Sequence, residues 1–208
     1  MLKTIRTAAY ALIALLAALW GALWLSGGDV TKLSLDNLGI SIPGGVTVGG
    51  PFALTDTTGA AVTDATYRGR WMLIYFGYTF CPDVCPTELQ TITAALDRLG
   101  PAGTPIVPIF ITVDPDRDTA AALAEYVKLF DDRLVGLTGT RDQLAAAAKS
   151  YRVYYAKVNP KDASSYLMDH SSFIYLIGPD GSFRALYRHG ISAAELADAL
   201  KIRLSTGT

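Results

Sequence analysis

Two stretches of the chain, Trp71 to Tyr78 (WMLIYFGY) and Pro105 to Val113 (PIVPIFITV), are apolar along their whole length. A strand that does not alternate polar and apolar residues is one covered on both faces. Two such strands therefore call for helices layered against a sheet, and the segments between and after them supply those helices. Thr87 to Leu99 carries Leu89, Ile92, Ala95, Leu96 and Leu99 at helical spacing. Asp118 has the position of an N-cap for a helix through Phe130, with Leu123, Tyr126, Val127 and Phe130 on one stripe. Thr140 with Gln143 forms a capping box for a helix to Tyr151, and Ser192 with Glu195 opens a last helix to Leu204.

Shorter strands are expected at Val46 to Leu54, Leu134 to Leu137, Val153 to Val158 and Phe173 to Ile177, with a second short element at Ala61 to Tyr67. Pro179-Asp180-Gly181 turns the last of these strands back into Ser182 to Tyr187. The order β-α-β-α-β-α, then a hairpin and a helix, predicts an α/β domain over residues 46–208. Its central sheet is expected to be mostly parallel, ending in a C-terminal hairpin, with helices flanking it.

The front of the chain is of another kind. No charged residue occurs between Arg6 and Asp29, and these 22 residues are mainly Ala, Leu, Ile, Tyr and Trp. As a helix they span about 33 Å at 1.5 Å per residue, enough for a hydrocarbon core about 30 Å thick. Residues 1–26 are thus expected to form a cytoplasmic tip and a transmembrane anchor, and 27–45, rich in Gly, Ser, Asp and Pro, a flexible tether. A cleaved signal peptide is the alternative, although its apolar region is usually about 7–15 residues. Lys3 and Arg6 precede the run and Asp29 follows it. That asymmetry predicts a single-pass inner-membrane protein with its C-terminal body on the exported, periplasmic side. Without Lys3 and Arg6 the 18 basic residues fall to 16 against 19 acidic ones, a formal charge of −3. A nucleic-acid partner is disfavoured on that ground.

The chain has two cysteines, Cys81 and Cys85, in a loop that joins the first buried strand to the first long helix. A pair separated by three residues at a helix entrance suits either a soft metal ion or a dithiol–disulfide cycle. The four-residue step puts both sulfurs on one side of the turn. The helix amides and dipole favour the thiolate. Pro82 and Pro86 restrict the loop, and Pro86 fits a first helical turn without sacrificing a needed N–H.

Two thiolates leave most ions short of ligands. Of the two histidines, His170 directly precedes the Phe173 strand, whereas His189 lies beyond the hairpin and is expected on the surface. A residue entering an antiparallel strand faces one leaving a parallel neighbour, so His170 is the candidate third ligand. Two thiolates and an imidazole favour Cu(I), and accept Cu(II) if a weak ligand completes the set. Zinc fits the cysteine spacing, but a closed structural site wants four ligands. Met168 offers a thioether, and Asp169 a carboxylate that would orient the imidazole. Asp114, in the Asp114 to Asp118 stretch, is either part of a turn or a charge near the site.

Taken with Gly50-Pro51-Phe52-Ala53-Leu54-Thr55-Asp56, the loop Phe76 to Pro86, Thr112 to Thr119, and Asp169-His170-Ser171 followed by Tyr175 to Gly181, the chain resembles the Sco/SenC family of membrane-anchored copper proteins from about Val46 to Leu204. The resemblance implies a thioredoxin-like fold with one copper site whose ligands match Cys81, Cys85 and His170. It also implies delivery of copper to the binuclear copper centre of cytochrome c oxidase subunit II. The alternative is a thiol–disulfide oxidoreductase, with Cys81 and Cys85 as a redox-active pair, that reduces the cysteines of that centre. A periplasmic copper donor and a thioredoxin-like reductant are the further partners such a role would need.

Overall fold

A computed structural model describes Tyr10, residues 48–160 and residues 165–207. The expected anchor and tether lie outside these residues, Tyr10 excepted. Among the described residues no helix is long and apolar enough to cross a membrane.

The core is a seven-stranded sheet. Its strands are β1 (Ala53–Asp56), β2 (Ala61–Thr63), β3 (Trp71–Gly77), β4 (Ile106–Thr112), β5 (Val135–Thr138), β8 (Ile174–Ile177) and β9 (Phe183–Tyr187), in the order β2-β1-β5-β4-β3-β8-β9. The two apolar runs form β3 and β4, parallel neighbours at the centre, and all residues of both strands are buried. Four helices flank the sheet: α1 (Val84–Leu99), α2 (Ala120–Lys128), α3 (Arg141–Ser150) and α4 (Ala193–Thr206). Helix α1 packs on α4, α2 on β5 and α3 on β1. Both expected capping boxes are present, Thr140 with Gln143 and Ser192 with Glu195.

The sheet is not mostly parallel. Only β3 with β4 and β4 with β5 run parallel, while β1 with β2, β1 with β5, β3 with β8 and β8 with β9 are antiparallel. The helical crossovers β3-α1-β4 and β4-α2-β5 dictate parallel pairing at the centre, and nothing imposes it on the strands added at either edge. Val46 lies outside the described residues, and among those described the first strand begins at Ala53. Gly49 (φ 85°) and Gly50 (φ 152°) adopt backbone conformations foreign to a strand, so pairing starts only after Pro51.

Two more strands lie outside this sheet. β6 (Tyr155–Val158) pairs antiparallel with β7 (Leu167–His170), Tyr155 opposite His170. The sequence pattern hides β7, because Leu167-Met168-Asp169-His170 is half-buried to exposed and too short to alternate visibly. Its partner strand, not its composition, makes it a strand.

Candidate metal centre

Strand β3 ends at Gly77, and the chain turns through Tyr78-Thr79-Phe80-Cys81 before entering α1. A Cβ added at Gly77 would lie 2.8 Å from Cys85 Sγ and 2.8 Å from a Phe110 ring carbon. Only glycine lets the Cys85 sulfur come this close to the strand. Asp83, at the N-cap of α1, makes no side-chain capping bond. The Cys85 N–H donates instead to Cys81 Sγ, at 3.4 Å. The Cys81 sulfur thus takes a place usually held by a Ser or Asp oxygen.

The two thiols differ. Cys85 is fully buried and Cys81 half-exposed, and they are not bridged. Cys81 is held as the thiolate, its pKa drawn down to about 3 by the Cys85 thiol, then by His170 and the amides of Cys85 and Asp83, against some desolvation. Cys85 is driven strongly upward by the same pairing and by burial, so the shared proton stays on its sulfur. Tyr75 donates its hydroxyl to Cys85 Sγ at 3.9 Å. Burial first, then the neighbouring Cys85, pushes the Tyr75 phenol far up, so it remains a donor.

His170 closes the group. Its Nε2 is 3.3 Å from Cys85 Sγ, and its Nδ1 is 3.2 Å from the Ser171 carbonyl. A carbonyl only accepts, so Nδ1 carries a proton and Nε2 is the ring nitrogen turned to the sulfurs. The imidazole sits edge-on to Tyr75 and Tyr78, with ring centroids 6.1 and 5.8 Å away. One ligand atom from each of Cys81, Cys85 and His170 lies within 4.8 Å of the others. Two sulfurs and one nitrogen at that spacing form a pocket for a single soft ion.

Other candidates fall elsewhere. Asp169 does not orient the imidazole: it lies on β7 next to His170, so its side chain takes the opposite face of the strand and is exposed. The Ser171 carbonyl does that work. Met168 packs against the core and lines a cavity of about 280 Å³ with Val113, Asp114 and Tyr155. His189 is half-exposed and outside the cluster, its Nδ1 2.6 Å from Glu88 Oε1. Asp118 is not the cap of α2. Thr119 is, accepting from the Ala122 N–H.

Asp118 is instead wholly buried. Its carboxylate accepts from the Thr79 N–H at 3.0 Å, the Thr79 hydroxyl at 2.5 Å and the Thr112 hydroxyl at 2.5 Å. Burial pushes its carboxyl up, with those hydrogen bonds opposing. Sequence reasoning missed this tie between the cysteine loop and the end of β4, and it missed Glu88. Glu88 is buried and accepts from the Gly190 N–H at 3.0 Å. The signal for Glu88 was its place three residues after Cys85 and four before Ile92, on the buried face of α1.

A sequence model of the SCO1/SenC family matches residues 41–205. The chain belongs to that family. It is 47% identical over 156 residues to the human protein described as "Protein SCO1 homolog, mitochondrial", an overlap of 74% of this chain and 52% of that one. The chain therefore spans about half the length of the curated relatives it matches. Among solved structures, ScoI of Arabidopsis thaliana with copper bound superposes with a TM-score of 0.73 at 42% identity, over 76% of this chain and 99% of that one. ScoI of Bradyrhizobium japonicum with copper bound gives a TM-score of 0.68 at 46% identity, over 74% and 98%. With these relatives the mixed α/β domain of the SCO1/SenC chain is of the Sco, thioredoxin-like type.

Proposed function

We propose that this SCO1/SenC chain binds one copper ion through Cys81 Sγ, Cys85 Sγ and His170 Nε2. It then passes the ion to the binuclear copper centre of cytochrome c oxidase subunit II. The domain acts from the periplasmic face of the inner membrane, held there by residues 1–26 through the tether 27–45. The observation that carries the reading is the donor set: two sulfurs and an imidazole nitrogen within 4.8 Å, in a family whose related structures hold copper.

The chemistry follows from the asymmetry of the pair. Cys81 is already a thiolate at the more open edge and meets the incoming Cu(I) first. Cys85 gives up its proton as the metal arrives, so loading releases a proton, and the Nε2 lone pair completes a three-coordinate site. Release runs the other way, with an acceptor's thiolates replacing these ligands one at a time. Cys81, half-exposed beside Phe80, is the ligand an acceptor reaches first.

A second reading is favoured by the same thiolate. Cys81 would attack an acceptor disulfide, forming a mixed disulfide and expelling one acceptor thiolate. Cys85, losing its proton, would then attack Cys81 Sγ and release the second. The acceptor gains two electrons, this chain ends as the Cys81–Cys85 disulfide, and a thioredoxin-like dithiol must reduce it again.

Anaerobic Cu(I) titration of the reduced full-length chain in detergent, followed by X-ray absorption, tests the first reading. One copper per chain with two sulfurs and one nitrogen, the nitrogen lost in His170→Ala, is expected. Absence of stable binding overturns it. Full oxidase assembly in cells carrying His170→Ala would favour the dithiol reading instead.

A further inference from the structure

The ligands stand on two separately built arms. Cys81 and Cys85 belong to the loop between β3 and α1, whereas His170 ends β7, in a two-stranded sheet that shares no strand pairing with the main one. Something must fix the distance between the arms, and the turn after β4 touches both. Its Asp118 holds Thr79 on the cysteine side. On the histidine side, Asp114 is buried and accepts from Arg117 Nε at 2.5 Å and from the Tyr166 hydroxyl at 2.8 Å. Arg117 Nη1 donates to the Tyr166 carbonyl at 3.0 Å. Tyr166 immediately precedes β7.

The guanidinium also lies between the two arms. Its carbon is 3.7 Å from the Tyr166 ring centroid, 4.5 Å from that of Phe80 and 5.7 Å from that of Tyr78. Phe80 immediately precedes Cys81. One side chain thus touches the residue before the first sulfur ligand and the residue before the strand that carries the nitrogen ligand. Tyr78 adds one further tie, its hydroxyl oxygen accepting from the Met168 N–H.

We infer that Arg117, locked by Asp114, is a positioning residue that sets His170 against the dithiol by clamping Tyr166 to Phe80. The planar guanidinium is suited to this because it stacks on rings while its edge donates to a carboxylate and a carbonyl at once. A lysine at 117 offers one point charge and cannot make all three contacts. The inference rests on the reading of His170 as a copper ligand, and its test has one arm that needs no copper.

In the reduced, metal-free full chain, Arg117→Ala is expected to raise hydrogen exchange of residues 166–171 at least about tenfold, with β3 and α4 unchanged. In the copper-loaded chain, the same variant keeps two sulfurs but loses intensity from the nitrogen shell, and affinity falls about 10- to 100-fold. Placed on His170→Ala, it has no further effect on affinity. Arg117→Lys behaves like Arg117→Ala. Arg141→Ala, which removes an exposed arginine paired with Asp116, changes nothing. If Arg117→Ala does not fold, Tyr166→Phe, which deletes only the bond to Asp114, shows the same pattern at smaller size. Unchanged exchange in 166–171, or an intact nitrogen shell in a variant with a lowered melting temperature, overturns the inference and leaves Arg117 a stabilising residue only. Faster exchange in a chain whose wild type binds no copper leaves the clamp standing and removes the proposed function.

Discussion

The two sides of the metal centre are made by different means. The cysteine side is part of the core: β3 is wholly buried, Gly77 lets Cys85 Sγ lie against it, and Asp118 fastens Thr79 with two hydrogen bonds and Thr112 with a third. The histidine side is an appended hairpin whose strands are half-buried to exposed, held by side-chain contacts rather than by a shared ladder. The difference teaches that the sulfur pair is preset by the core, while the nitrogen depends on side-chain ties from outside its own strands.

Several measurements would break or sharpen this contrast. The largest effect concerns the thiols. With Cys81 near pKa 3 rather than an ordinary thiol value, its thiolate persists as pH falls and is lost only when pH approaches 3. Iodoacetamide labelling of the reduced, metal-free chain at pH 5 should therefore modify Cys81 more than about 100-fold faster than Cys85. A rate that climbs tenfold per pH unit from 5 to 8 would show that the cysteine side is not preset.

Next, Asp118→Ala leaves three donors of Thr79 and Thr112 without their acceptor inside the protein. It should lower unfolding stability by about 3 kcal/mol in urea titration. A loss no greater than that of a surface substitution would remove the claimed fastening. Gly77→Ala places a methyl group against Cys85 Sγ and Phe110, and about 2 kcal/mol of destabilisation is expected from the crowding. Smallest is Phe80→Ala. Phe80 is exposed, so its loss should cost no more than about 1 kcal/mol, from its contact with Arg117. A larger loss would mean that the two arms are less independent than the sheet topology indicates.

The preset side was also the legible side. Unbroken apolar runs announced β3 and β4, and the spacing of Cys81, Cys85 and the first turn of α1 is a local matter that four residues settle. His170 was placed by a topological argument that needed only β8 to run against β3, as it does. The clamp was not legible, because Asp114, Arg117 and Asp118 sit in an ordinary acidic turn. Their partners Thr79 and Tyr166 are 39 and 52 residues away along the chain. The antiparallel edges, too, were hidden in short strands whose direction no local pattern records. Asp169 misled for a related reason: adjacency in sequence to a ligand suggested a partner, and strand alternation sent its side chain the other way.

The bare backbone at Gly77 has a consequence for how such a chain can change over time. With 2.8 Å between the place a methyl would occupy and the Cys85 sulfur, positions 77 and 85 cannot be altered independently. A lineage that keeps the thiol inherits the glycine with it. One that trades Cys85 for a smaller residue removes only part of the constraint, since the Phe110 ring lies at the same 2.8 Å and must give way as well before position 77 can carry a side chain.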